Sequence, residues 1–178
     1  MFRRLSLSGL VMVVMLGSQL LSEGRAAAQQ PTADQIKAAL TPKPVTRSLV
    51  TRQIAVEDKA PSINLRVSFG YDSAEILPEA VTLLDALVTA LKDPRFATTK
   101  FEIGGYTDAK GSDDYNMALS ARRADAVRHY LIEKGQLPAE LLSAVGYGKT
   151  KLADPDHPED GVNRRVEIVN LSAVSASK

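Results

Sequence analysis

The stretch from Phe101 to Lys134, FEIGGYTDAKGSDDYNMALSARRADAVRHYLIEK, reads as a strand, a tight turn and a long helix in unbroken succession. Phe101 and Ile103 are the apolar positions of a strand that ends in Gly104-Gly105. Ser112 is a favourable N-cap residue. Asp113 and Asp114 follow in a first turn where the helix dipole favours negative charge. The spacing predicts a helix to about Lys134, stopped by Gly135.

Working outward, Ile63, Leu65, Val67 and Phe69 alternate with Asn64, Arg66 and Ser68, the pattern of a half-buried strand. Pro78 suits a first helical position, and Ala80, Leu84, Leu87 and Leu91 give an amphipathic helix to about Lys92. Leu141 to Tyr147 forms a third strand. Arg165 to Leu171 forms a fourth, with Val166, Ile168 and Asn170 on one face and Glu167, Val169 and Leu171 on the other. The fold class is therefore α+β, a βαβαββ two-layer sandwich with helices packed on a mixed four-stranded sheet. The domain spans residues 62–171, and residues 172–178 are a flexible tail.

Within the long helix, one residue breaks the pattern. With Val127 at zero, Leu131 falls at about +40°, Ala124 at about +60° and Ser120 at about +20°, the buried face. Arg123 falls at about −40° and Asn116 at about −20°, inside that stripe. Arg122 falls at about −140°, on the outer face with Asp125, His129 and Glu133. An inward cation needs a partner, because an unpaired buried charge is very unfavourable. Asp108 lies just before this helix, and strand ends facing helix N-termini commonly form ligand crevices. Asp108, Asn116 and Arg123 can converge there. The pair would then either grip a group carrying both an ammonium and a carboxylate, or form a salt bridge tying strand to helix.

The ends of the chain read differently. Arg3 and Arg4, the largely apolar run Leu5–Leu21 and Ala26-Ala27-Ala28 make residues 1–28 a secretory signal peptide, cleaved or kept as an anchor. Residues 29–61 read as a tether. Thr32 and Gln35 have capping-box spacing for a short helix through Leu40, and Pro42 and Pro44 would stop it.

Composition narrows function. The whole chain carries 22 basic and 21 acidic residues. Losing Arg3, Arg4, Arg25 and Glu23 with residues 1–28 leaves it one charge on the acidic side. Such a balance offers no field to collect nucleic acid. There is no cysteine, which excludes disulfides, thiol catalysis and a cysteine-linked lipid anchor.

The segments Gly105-Tyr106-Thr107-Asp108 and Tyr115-Asn116-Met117-Ala118-Leu119-Ser120-Ala121-Arg122-Arg123-Ala124 closely resemble the OmpA-like peptidoglycan-binding domain. Phe69 with Tyr71-Asp72-Ser73-Ala74, then Gly146-Tyr147-Gly148 and Asn163-Arg164-Arg165-Val166-Glu167, extend the resemblance over about residues 62–171. The resemblance implies that Asp108 takes the ammonium, and Arg123 the carboxylate, of the diaminopimelate side chain of a stem peptide. It further implies that Asn116 supports the ligand, that Thr107 and Asp72 line the rim, and that Asn163 and Arg165 form or brace one wall. Two departures stand out: Tyr106 replaces the usual His, at a position read as structural, and the loop Asp160-Gly161-Val162 is short, which reshapes that wall.

The expected function is non-catalytic anchoring to peptidoglycan, in the periplasm of a Gram-negative bacterium and within reach of the outer membrane. No cofactor is expected. No metal site is expected either, because no His, Asp and Glu cluster has ligand spacing. The alternatives are a scaffold subunit docking an outer-membrane or envelope-complex protein through residues 29–61, and a peptidoglycan hydrolase. The sequence lacks H-E-x-x-H and G-x-S-x-G, and its two histidines have no obvious nucleophile beside them.

Overall fold

The computed structural model describes residues 30–43 and 60–175. Three helices, α1 (Ala33–Leu40), α2 (Pro78–Leu91) and α3 (Asp113–Glu133), pack on an open sheet. Its strands are β1 (Ser62–Leu65), β2 (Phe101–Tyr106), β3 (Leu142–Gly148) and β4 (Arg165–Asn170), in the order β1-β4-β2-β3. The sheet is mixed: β4 is antiparallel to both neighbours, while β2 and β3 are parallel with α3 as their crossover. The expected α+β sandwich is therefore the observed architecture. The signal-peptide segment lies outside the described residues.

The core lies between helices and sheet. Leu83, Leu84 and Leu87 of α2 and Val127 and Leu131 of α3 meet Ile103 and Ile168, all almost wholly buried. Two glycines let α3 sit close to the strands. A Cβ on Gly105 would come 2.2 Å from the Ser120 carbonyl oxygen, and one on Gly146 would come 2.6 Å from the Ala121 nitrogen. Neither contact is sterically possible, so larger residues there would push the helix off the sheet.

The first strand is shorter than its alternation suggests. Leu65 pairs with Val166, and β4 begins one residue earlier at Arg165, so the partner strand runs out. Val67 still points inward, and Phe69 makes only an isolated bridge to Ile76 around a turn in which Asp72 has φ 50°.

The helix expected inside the tether forms with both halves of its capping box. Thr32 N–H donates to Gln35 Oε1 at 2.8 Å, and Gln35 N–H to Thr32 Oγ1 at 3.4 Å. It does not stand apart from the domain. Ile36 and Leu40 are wholly buried in the common core, and Asn170 Nδ2 donates to the Leu40 carbonyl at 3.0 Å. At the other terminus Ser172–Ser175 form a helical turn, α4, with Asn170 Oδ1 accepting from the Ser172 and Ala173 N–H groups.

Candidate ligand-binding site

The site is built where β2 gives way to α3. Thr107 N–H donates to the Gly148 carbonyl at 2.9 Å, extending the β2–β3 pairing one step beyond a register shift at Gly105/Tyr106. Ser112 caps α3 as expected, its hydroxyl accepting from Tyr115 N–H. Asn116, buried one turn into the helix, donates through Nδ2 to the Lys110 carbonyl at 2.6 Å and so holds the turn against α3. Together these contacts fix Thr107 and Asp108 at the mouth of a hollow of about 540 Å³.

Asp72, Thr107, Asp108, Asn116 and Arg123 all line that hollow. Their states differ. Asp108 is buried; its Oδ2 accepts from Arg164 Nη1 at 2.6 Å and its Oδ1 from Lys110 N–H at 3.2 Å. Asp108 is therefore ion-paired with Arg164, not with Arg123, so the simple strand-to-helix salt bridge is not what Arg123 makes. Asp72 is exposed and accepts a hydrogen bond from the Tyr115 hydroxyl, which raises the tyrosine pKa.

Arg123 is half-buried, while Arg122 beside it is exposed, as the helical periodicity requires. Its Nε donates to the Ser73 carbonyl at 2.9 Å, and its guanidinium carbon lies 5.0 Å from the centre of the Phe69 ring. Among the described residues it has no carboxylate partner. Burial lowers its pKa first, and the positive charge of Arg164 lowers it further. Thr107 supplies a second unmet need, since its buried hydroxyl has no hydrogen-bond partner among the described residues. A cation without a carboxylate partner and an orphaned hydroxyl in one hollow are what a polar ligand would complete.

Asn163 and Arg165 do not line this hollow. Asn163 is wholly buried and organises the preceding loop: its Oδ1 accepts from Asp154 N–H at 2.9 Å, and its Nδ2 donates to the His157 carbonyl at 2.9 Å. The loop in turn receives Ala109 N–H at the Pro158 carbonyl, so Asn163 braces the wall from behind. Arg165 stacks 3.9 Å above the Tyr106 ring. Tyr106 is buried, donates to Glu167 Oε2 at 2.9 Å and stacks on Tyr147 at 5.0 Å.

The residue that sequence reasoning missed is Arg164. The alternation of β4, with Val166 and Ile168 on the helix side, extends back to position 164 and was the available signal. One cluster also differs from expectation: possible ligand atoms of Asp154, His157 and Asp160 lie within 4.8 Å of one another. Asp154 is already engaged there, accepting from the N–H groups of Asp156 and His157 and facing His157 Nδ1 at 2.9 Å, so it serves as a loop closure.

An α+β sandwich with a charged hollow at the β2–α3 junction defines the class of the protein. The OmpA family model matches residues 68–165, a span that includes every residue named for the site, and the chain belongs to the OmpA family. It is 41% identical over 102 residues to a peptidoglycan-associated lipoprotein of Pseudomonas aeruginosa, covering 56% of this chain and 58% of that protein. A peptidoglycan-associated lipoprotein of Pasteurella multocida is 44% identical over 103 residues, covering 58% of this chain and 67% of that one. The chain thus spans little more than half the length of the Pseudomonas relative. Among solved structures, the OmpA-like domain of FopA1 from Francisella tularensis superposes with a TM-score of 0.52 at 27% identity, covering 60% of this chain and 70% of that one.

Proposed function

We propose that the protein binds peptidoglycan through the diaminopimelate group of the stem peptide and thereby anchors itself to the cell wall, in the periplasm and without catalysis. The observation that carries this reading is Arg123, a half-buried guanidinium with no carboxylate partner among the described residues, sharing a hollow with Asp108 and the orphaned Thr107 hydroxyl. The names of the relatives, peptidoglycan-associated lipoproteins, support the same ligand class.

In this mechanism the terminal nitrogens of Arg123 present a planar fork to the ligand carboxylate. Asp108 accepts the ammonium. A carboxylate has about four lone-pair sites, and Asp108 uses two, for Arg164 and Lys110 N–H, so a third donor fits without breaking the ion pair. Arg164 holds the carboxylate in place, and Asn116 keeps the turn closed beneath it. A protein partner engaging residues 29–61 would add a second attachment. The apolar face of α1, with Ile36 and Leu40, is already covered by the core and is not available for that contact.

Sedimentation with isolated sacculi tests the proposal. The wild type should pellet. Asp108→Ala and Arg123→Ala, checked for folding by circular dichroism, should bind about tenfold to a hundredfold more weakly, the loss of one charge-assisted contact each. If both folded variants pellet like the wild type, or the wild type stays in solution, the reading fails.

A further inference from the structure

The wall peptide, on the reading above, meets one hollow; a second adjoins it and carries more positive charge. This second hollow, of about 320 Å³, is lined by four arginines, Arg66, Arg123, Arg164 and Arg165, with Glu79 as the sole acidic residue in its lining among the described residues. Phe69, Arg123 and Arg164 belong to both linings, so these side chains form a boundary that the two hollows share.

Three of the four guanidiniums have no carboxylate partner among the described residues. Arg165 donates to the Asn64 side-chain oxygen at 3.1 Å and to the Lys151 carbonyl at 3.1 Å, both neutral. Arg123 has the Ser73 carbonyl. Arg164 has a carboxylate, but it is Asp108, which lines the first hollow and not the second. Arg66 is exposed and has no hydrogen bond or ion pair among the described residues. Clustered like charges repel, and a pocket so lined concentrates anions. Arginine in particular suits carboxylates, because its fork matches them.

We infer that this second hollow is an anion subsite that holds a further carboxylate of the same wall peptide, with Arg66 as its peripheral cation. The inference rests on the proposed peptidoglycan binding and adds to it a choice among peptides. A stem peptide joined through the side chain of its glutamate keeps that residue's α-carboxylate free, one residue from the diaminopimelate. A ligand whose diaminopimelate lies between Asp108 and Arg123 can pass over the Arg123–Arg164 partition and place that carboxylate among the four arginines.

Calorimetric titration with two tripeptides tests this. One is L-alanyl-γ-D-glutamyl-meso-diaminopimelate, and the other carries a carboxamide in place of the glutamate α-carboxylate. The wild type should bind the carboxylate form about threefold to tenfold more tightly, a preference that shrinks as salt is raised. Arg66→Gln, a change at an exposed residue outside the Asp108 hollow, should match the wild type on the carboxamide form and prefer the carboxylate form less strongly than the wild type does, because three arginines remain in the hollow. Equal binding of the two peptides by the wild type overturns the subsite while leaving the first hollow intact. So does a preference that is undiminished in Arg66→Gln. Failure of the wild type to bind either peptide instead brings down the wall-peptide reading, and the subsite with it.

Discussion

The two ends of the central strand treat their polar residues in opposite ways. At the end that begins with Phe101, Asn170 is buried and every hydrogen-bonding side-chain group has a partner: Nδ2 donates to Leu40, and Oδ1 accepts from Ser172 and Ala173. That single amide fastens α1, β4 and α4 together. At the end past Tyr106, Thr107 is equally buried but, among the described residues, its hydroxyl has no partner and Arg123 has only a neutral carbonyl and a ring. A buried polar group left unmade costs free energy, so a satisfied one marks architecture and an unsatisfied one marks a place kept ready for something else.

The contrast is broken most severely by removing the satisfied group. Asn170→Ala should destabilise the fold by about 3 kcal/mol in chemical denaturation, because it strands a carbonyl and two N–H groups. Folded Asn170→Ala should still pellet with sacculi; a loss of binding with no loss of stability would reverse the assignment of the two ends.

The converse change is milder for the fold. Arg123→Met should alter stability by less than about 1 kcal/mol, since the half-buried guanidinium meets no carboxylate among the described residues and its loss relieves desolvation. A drop of several kcal/mol in the same denaturation experiment would make Arg123 structural. Smaller again, Thr107→Val replaces an orphaned hydroxyl by a methyl of similar size. It should be neutral or raise stability by up to about 1 kcal/mol, while weakening wall binding about threefold. Lost stability would mean that the hydroxyl already serves the fold.

The smallest effect concerns the loop behind the site. The Asp154 carboxylate raises the pKa of His157 above its ordinary 6.5, and the hydrogen bond to His157 lowers that of Asp154 below its ordinary 3.8. A raised histidine contributes fully below 6.5 and is lost as pH rises through its shifted value; a lowered aspartate contributes fully above 3.8 and is lost as pH falls through its own. The contact is therefore strongest between these two values. Backbone order parameters over residues 154–158 should decline on moving from about pH 5 to about pH 8. Constant order across that range would show that Asn163 alone sets the loop.

What the sequence determined by itself was local. Ser112 caps α3, Thr32 and Gln35 close the box of α1, Pro78 starts α2, and the 3.6-residue period separates inward Arg123 from outward Arg122. Each depends on residues within about one or two turns of one another, so spacing alone decides it. Only the tertiary structure decided the long-range pairings. Asp108 finds Arg164 rather than Arg123, Leu40 finds Asn170, and Arg165 turns to Tyr106 while Asn163 holds the loop. Two cations of equal charge compete for Asp108, and composition cannot choose between them. The choice falls to strand order and register, which bring residue 164 to the mouth of the hollow and leave Arg123 without a carboxylate among the described residues. A side chain reaches only a few ångströms, and where those ångströms lie is settled by how the sheet is assembled.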